Sequence, residues 1–160
     1  MPWCNFGTIM KSRIKSILEG VITLHNNTNQ WGPWAGKILT GEEGNGILYA
    51  IDTNGTVSPY DLGIEPDHFV LIPANQDLYA CDYGGRVIKL SRTFLTNYVG
   101  DLLVTQEGGG SSYPTELCIV NWGGTNFVTR AINGSVVTNG IGQFEDTTFS
   151  PLNLPSQPIQ

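Results

Sequence analysis

Short apolar runs broken by polar, Gly-containing turns recur along this chain in a fixed order. Leu48-Tyr49-Ala50-Ile51-Asp52-Thr53-Asn54-Gly55-Thr56-Val57 returns as Leu78-Tyr79-Ala80-Cys81-Asp82-Tyr83-Gly84-Gly85-Arg86-Val87, and more loosely as Leu117-Cys118-Ile119-Val120-Asn121-Trp122-Gly123-Gly124-Thr125-Asn126-Phe127. Each copy reads as a hairpin, because Asn-Gly and Gly-Gly supply the positive φ that tight turns need. A further apolar run precedes each hairpin, with starts near Lys37, Phe69 and Asp101 that stand 32 residues apart (69 − 37 and 101 − 69). The predicted unit therefore has three strands. Its first is a near-continuous apolar run, as suits a strand buried on both faces. Its third is more mixed, and Pro59 there points to an outer position, since proline has no N–H to give a central ladder.

Repeats of this length cannot bury an apolar face alone and stack on their neighbours. The expected fold class is all-β, with about three β-propeller-type blades of antiparallel strands, a partial or half propeller. A linear solenoid or a sandwich also satisfies the strand spacing. Residues 31–155 carry the repeat, 156–160 form a short tail, and 1–30 lie outside it. In that N-terminal segment Met10, Ile14, Ile17 and Leu18 are spaced as on an amphipathic helix, whereas Gly20-Val21-Ile22-Thr23-Leu24 reads as a strand.

The Trp31-Gly32-Pro33-Trp34-Ala35-Gly36-Lys37-Ile38-Leu39-Thr40-Gly41 stretch, Ile72-Pro73-Ala74-Asn75-Gln76, Val99-Gly100-Asp101-Leu102-Leu103-Val104-Thr105-Gln106-Glu107 and Gln143-Phe144-Glu145-Asp146-Thr147-Thr148-Phe149-Ser150-Pro151 resemble an uncharacterised group of bacterial exported propeller proteins. That group in turn is similar to the six-bladed class of NHL-repeat and gluconolactonase-like proteins. The resemblance implies a fold and an extracellular or exported location, and carries no agreed activity. No signal-peptide pattern stands at the N-terminus of this chain to match that location. Propellers close with four to eight blades, and about three are legible here. The chain is then expected to close a ring with a second copy, to be a fragment of a longer protein, or to pack as a compact non-propeller β domain.

Composition narrows the partners. Of 160 residues 40% are apolar and 14% charged, which suits a folded core, and the net charge of −6 leaves no basic stripe for nucleic acid. No run is long and apolar enough for a membrane span. Cys4, Cys81 and Cys118 form no Cys-x-x-Cys pair, which removes zinc-ribbon and thioredoxin-type sites, and the last two suit small buried positions.

Function is expected to be non-catalytic, as a binding or assembly module that self-associates and takes a carbohydrate or peptide ligand. Trp34, Tyr83 and Trp122 are the candidate stacking platforms, and Glu65, Asp67 and His68 the candidate polar groups beside them. Trp31 and Trp34 equally suit packing between units. The alternative is a calcium-assisted hydrolase of gluconolactonase-like type. Asp52, Asp82 and Asn121 recur at one place in the three units and would supply the oxygen ligands; an Asp before a Gly turn also serves simply to hold its own backbone. In a propeller Trp31, Trp34, Asp52, Glu65, Asp67, His68, Asp82, Tyr83 and Trp122 fall on one rim, with Glu42, Glu43 and Glu107 on the other.

Overall fold

The computed structural model describes residues 17–42, 44–108, 114–132 and 143–150. In chain order its strands are β1 (Leu18–Thr23), β2 (Ile38–Glu42), β3 (Ile47–Ile51), β4 (Val57–Asp61), β5 (Pro66–Leu71), β6 (Leu78–Asp82), β7 (Val87–Leu90), β8 (Leu102–Gln106), β9 (Glu116–Trp122), β10 (Phe127–Ala131) and β11 (Phe144–Phe149). A one-turn helix, α1 (Thr28–Trp31), is capped by the Asn27 side chain and runs into a 3-10 turn at Gly32–Trp34; a second 3-10 turn spans Thr96–Tyr98. The all-β class holds. The strands form three antiparallel sheets, ordered β1-β2-β3-β4, β5-β8-β9-β10 and β11-β6-β7, and none closes on itself. We call them the first, middle and third sheets.

All nine predicted repeat strands are present at their predicted places, and β1 adds the strand read at Val21 to Leu24. The helical spacing at Met10 and Ile14 falls outside the described residues. Pairing follows the unit order in the first unit, where β2, β3 and β4 meander beside one another. It departs from that order in the second. There β5 leaves the β6–β7 hairpin that follows it and pairs antiparallel with β8, with Val70 opposite Leu103 and Leu71 opposite Leu102. The vacated place beside β6 is filled by β11, with Thr147 opposite Ala80. β5 thus sits in the middle sheet where β1 sits in the first.

Two apolar cores follow from the alternation of side chains along the middle sheet. Phe69, Leu102, Val104, Cys118 and Val120 point to one face and pack on Leu39, Leu48 and Ala50 of the first sheet, with Trp31 and Trp34 closing the end. Leu103, Leu117 and Ile119 point to the other and pack on Leu78, Ala80, Leu90 and Phe144 of the third. The continuous apolar reading of β8 and β9 has this cause: both faces of their sheet are buried. The first and third sheets cover it from either side.

The shared strand needs close approach. β5 lies against β1 and β2 of the first sheet, and two glycines stand where it passes. A Cβ on Gly41 would lie inside the van der Waals shell of the Pro66 carbonyl oxygen, and one on Gly20 would meet the Asp67 carbonyl and come within 2.7 Å of the Phe69 ring. Gly20 is also the bulge residue of β1 and holds φ at +56°, a conformation that costs other residues more. Gly41 has no positive φ, so its requirement is steric alone. Gly41→Ala is therefore expected to lose about 2–3 kcal/mol through overpacking against backbone that has no rotamer to change. Urea unfolding of the variant measures the loss.

Candidate functional site

The three polar residues expected beside a ligand, Glu65, Asp67 and His68, stand at the start of β5, and the exchange of partner by β5 decides where they point. Because β5 runs antiparallel to β8, its first residues meet the end of β8 and the β2–β3 turn. Glu65 is buried; its carboxylate accepts from the Gly44 amide at 3.0 Å, and its own amide donates to Gln106 Oε1 at 2.9 Å. The expected separation of Glu65 and Asp67 from Glu42 and Glu107 thus fails. A first strand that kept its own hairpin would have held them apart.

Asp67 and His68 bind β5 to three neighbours. Thr105 Oγ1 donates to Asp67 Oδ2 at 3.0 Å and accepts from the His68 amide at 2.8 Å. Asp67 also hydrogen-bonds the Glu19 side chain of β1, which favours the protonated Asp67 carboxyl. Burial, with this hydrogen bond next in importance and the charges of Glu19 and Glu107 adding to it, pushes the Asp67 carboxyl up to about 8. His68 Nε2 lies 3.1 Å from Asp146 Oδ1 of β11, in a half-exposed pair at the surface. The cluster is chemically a junction, in which each polar group is held by a different strand.

The three recurrent hairpin positions have separate local roles. Asp52 Oδ1 accepts from the amides of Asn54 at 2.9 Å and Thr56 at 2.8 Å, and the Thr56 amide is the main reason its carboxyl lies below the usual range. Asp82 repeats this geometry with the Arg86 amide at 2.8 Å, is buried, and is also paired with the Arg86 guanidinium. Asn121 instead hydrogen-bonds Asp101. Among the described residues no three His, Cys, Asp or Glu side chains come together as a metal set.

The aromatic candidates also separate. Trp34 is fully buried; it stacks on Phe127 with centroids 3.5 Å apart at 19° and meets the Tyr60 edge at 5.4 Å. Neither ring face is left for a ligand. Trp122 is half-buried against Phe127, its ring lying where a Gly32 side chain would be. Tyr83 is 78% exposed at the tip of the β6–β7 hairpin, in a different sheet. Cys118 is buried, which pushes its thiol up to about 12, and Cys81 is half-buried on the outer face of the third sheet; both are free. Cys4 lies outside the described residues.

A polar cleft of about 140 Å³ brings together residues that sequence reading did not single out, apart from Asn121. It is lined by Asn97, Tyr98, Asp101, Ile119, Asn121, Val128 and Arg130. The signal lay in the repeat itself. Asp101 occupies the position of Lys37, and Arg130 is the sole basic residue between 100 and 132, so the third unit places an acid where the first places a base. No helix among the described residues is long and apolar enough to cross a membrane. No family model, curated protein or solved structure matches the chain.

The Asp67 carboxyl sets the sign of a pH effect. Its folded-state value lies above that of an unfolded aspartate, so the folded state keeps a proton the unfolded state has lost. The resulting stability is complete below about pH 4 and disappears as pH rises through about 8. The melting midpoint is expected to fall by several degrees between about pH 5 and about pH 8.5. Asp67→Asn, which keeps an N–H donor toward Glu19, is expected to flatten that fall in a thermal scan.

Proposed function

We propose that this protein is a non-catalytic assembly and binding module, and that two copies complete a ring of six sheets. One observation carries the reading. Among the described residues the middle sheet packs an apolar core on each face, whereas the first and third sheets pack one on a single face each and turn side chains outward on the other. Cross-strand partners share a face, so Val21, Tyr49 and Pro59 form one outer row of the first sheet through Thr40, and Ile38 and Val57 belong to the next through Ile51; Thr40 and Ile51 in the middle of these rows are themselves buried. Val21 is 71% exposed. On the third sheet the outward rows are Val87 with Cys81 and Asp146, and Lys89 with Tyr79 and Thr148; Tyr79, Cys81 and Val87 line a shallow, mostly apolar depression together with Asp146 and Thr148, and Val87 is 72% exposed.

A three-layer stack whose two outer faces mix apolar and polar side chains, with no cover among the described residues, has the propeller problem of an open ring, and twofold symmetry is the simplest closure. The first sheet of each copy would dock on the third sheet of the other, which makes two identical contacts. A charge on either face then disturbs both. The hydrolase alternative gains no comparable support, because Asp52 and Asp82 are engaged by their own turns.

Light scattering on a size-exclusion column is expected to give a discrete dimer that dissociates on dilution. Val21→Asp or Val87→Asp is expected to weaken it at least tenfold, since each buries an unpaired charge in the proposed contact. A monomer at every concentration, or a dimer indifferent to both variants, contradicts the proposal.

A further inference from the structure

The cleft on the middle sheet is independent of both outer faces and has a chemistry of its own. Its frame is fixed by backbone hydrogen bonds. The Ile72 amide donates to the Asp101 carbonyl at 3.1 Å, the Gly100 amide to the Ile72 carbonyl at 2.8 Å, and the Asp101 amide to the Tyr98 carbonyl at 2.9 Å. Gln30 Nε2 reaches from α1 to the Gly100 carbonyl at 2.8 Å. Leu95, 1% exposed, roots the turn that carries Asn97 and Tyr98 in the second core, and Tyr98 packs on the same core. The opposite wall is sheet. Val128 stands opposite Asn121, and Arg130 opposite Ile119. One wall is thus a turn pinned by hydrogen bonds and the other a pair of hydrogen-bonded strands.

The donor and acceptor inventory of the lining selects the ligand. The Asp101 carboxylate only accepts and the Arg130 guanidinium only donates, whereas the Asn97 and Asn121 amides and the Tyr98 hydroxyl do both. An anion that satisfies Arg130 meets an acceptor-only carboxylate. A metal ion that satisfies Asp101 meets a cation. A hydroxyl group both donates and accepts, so adjacent hydroxyls can satisfy Arg130, Asn97 and Tyr98 and the capacity that Asp101 and Asn121, hydrogen-bonded to each other, leave open. The remaining lining, Ile119 and Val128 with the Tyr98 ring, is apolar and suits the C–H faces between them. The volume of about 140 Å³ corresponds to about five waters of liquid. It fits one edge of a single ring and is small for a nucleotide or a drug-sized ligand.

We propose that the cleft between the Thr96–Tyr98 turn and the β9–β10 hairpin binds one neutral sugar ring through its adjacent hydroxyls, with Asp101 and Arg130 both on the hydrogen-bonding edge. The carboxylate of Asp101, held by Asn121, accepts from one hydroxyl and the guanidinium of Arg130 donates to the next, while Asn97 hydrogen-bonds from the opposite wall. This assignment does not rest on self-association, because the cleft residues belong to neither outer face.

The test uses the ¹⁵N-labelled full chain, titrated separately with glucose, galactose, mannose and N-acetylglucosamine, and with glycine, inorganic phosphate and calcium chloride as the zwitterionic, anionic and cationic probes. At least one sugar is expected to shift the amides of Tyr98, Asp101, Asn121 and Arg130 with a Kd of about 1 mM. Asn97→Ala and Arg130→Met are each expected to weaken that binding about tenfold or more while the remaining amide spectrum stays in place. The proposal is overturned if no sugar moves these amides, if a sugar moves amides elsewhere in their stead, or if glycine, phosphate or calcium binds the cleft and the sugars do not. Either variant binding sugar as well as the parent chain also overturns it.

Discussion

The passage of β5 over Gly20 and Gly41 is the constraint on which the rest of the fold depends. A β-strand that serves the middle sheet by hydrogen bonding to β8 and also presses on β1 and β2 brings its own carbonyls to the neighbouring backbone. Side chains at those two positions would hold the sheets apart. With glycine there, Phe69 enters the first core beside Leu39 and Leu102, and Val70, on the opposite face of the strand, packs on the second. One strand therefore couples both cores. Its departure from the second unit also explains why β11 returns to β6: an unpaired β6 would expose a full edge of N–H and C=O groups.

The same exchange determines the electrostatics. By running antiparallel to β8, β5 carries Asp67 to Glu19 and Thr105 and carries Glu65 to Gly44, into a region where burial makes charge expensive. Protonation of Asp67 is the cheapest way to hold two carboxyl groups there. The acidic junction is thus a consequence of the sheet exchange, and its polar groups are spent on strand contacts. The cleft at Asp101 is different in kind, because it joins a carboxylate and a guanidinium across a cavity.

Much of this architecture is legible in the sequence, for a local reason. Hairpins such as Leu48 to Val57 and Leu78 to Val87 are specified by alternation and by turn glycines within ten residues, and the doubly buried β8 and β9 by uninterrupted apolar runs. Partner choice is not local. Nothing in Phe69-Val70-Leu71 distinguishes pairing with Leu78-Tyr79-Ala80 from pairing with Leu102-Leu103-Val104, since both offer an apolar strand of the right length. The steric evidence lay in Gly20 and Gly41, but a glycine in sequence reads as a turn or bulge before it reads as a saddle for a distant strand. Rim assignments for Glu65 and Asp67 inherited that ambiguity. Trp34 shows the converse limit: an aromatic beside Gly and Pro suits a surface platform and an inter-sheet core alike, and only the stack with Phe127 decides.

The pairing of β5 with β8 is the central claim, and cross-strand nuclear Overhauser effects between backbone protons test it most directly. The account predicts effects linking Phe69 with Val104 and Val70 with Leu103, together with effects linking Thr147 with Ala80. Effects linking β5 to Leu78, Tyr79 or Ala80 of β6 in their place would contradict it, and would restore three hairpin-connected units in simple sequence order.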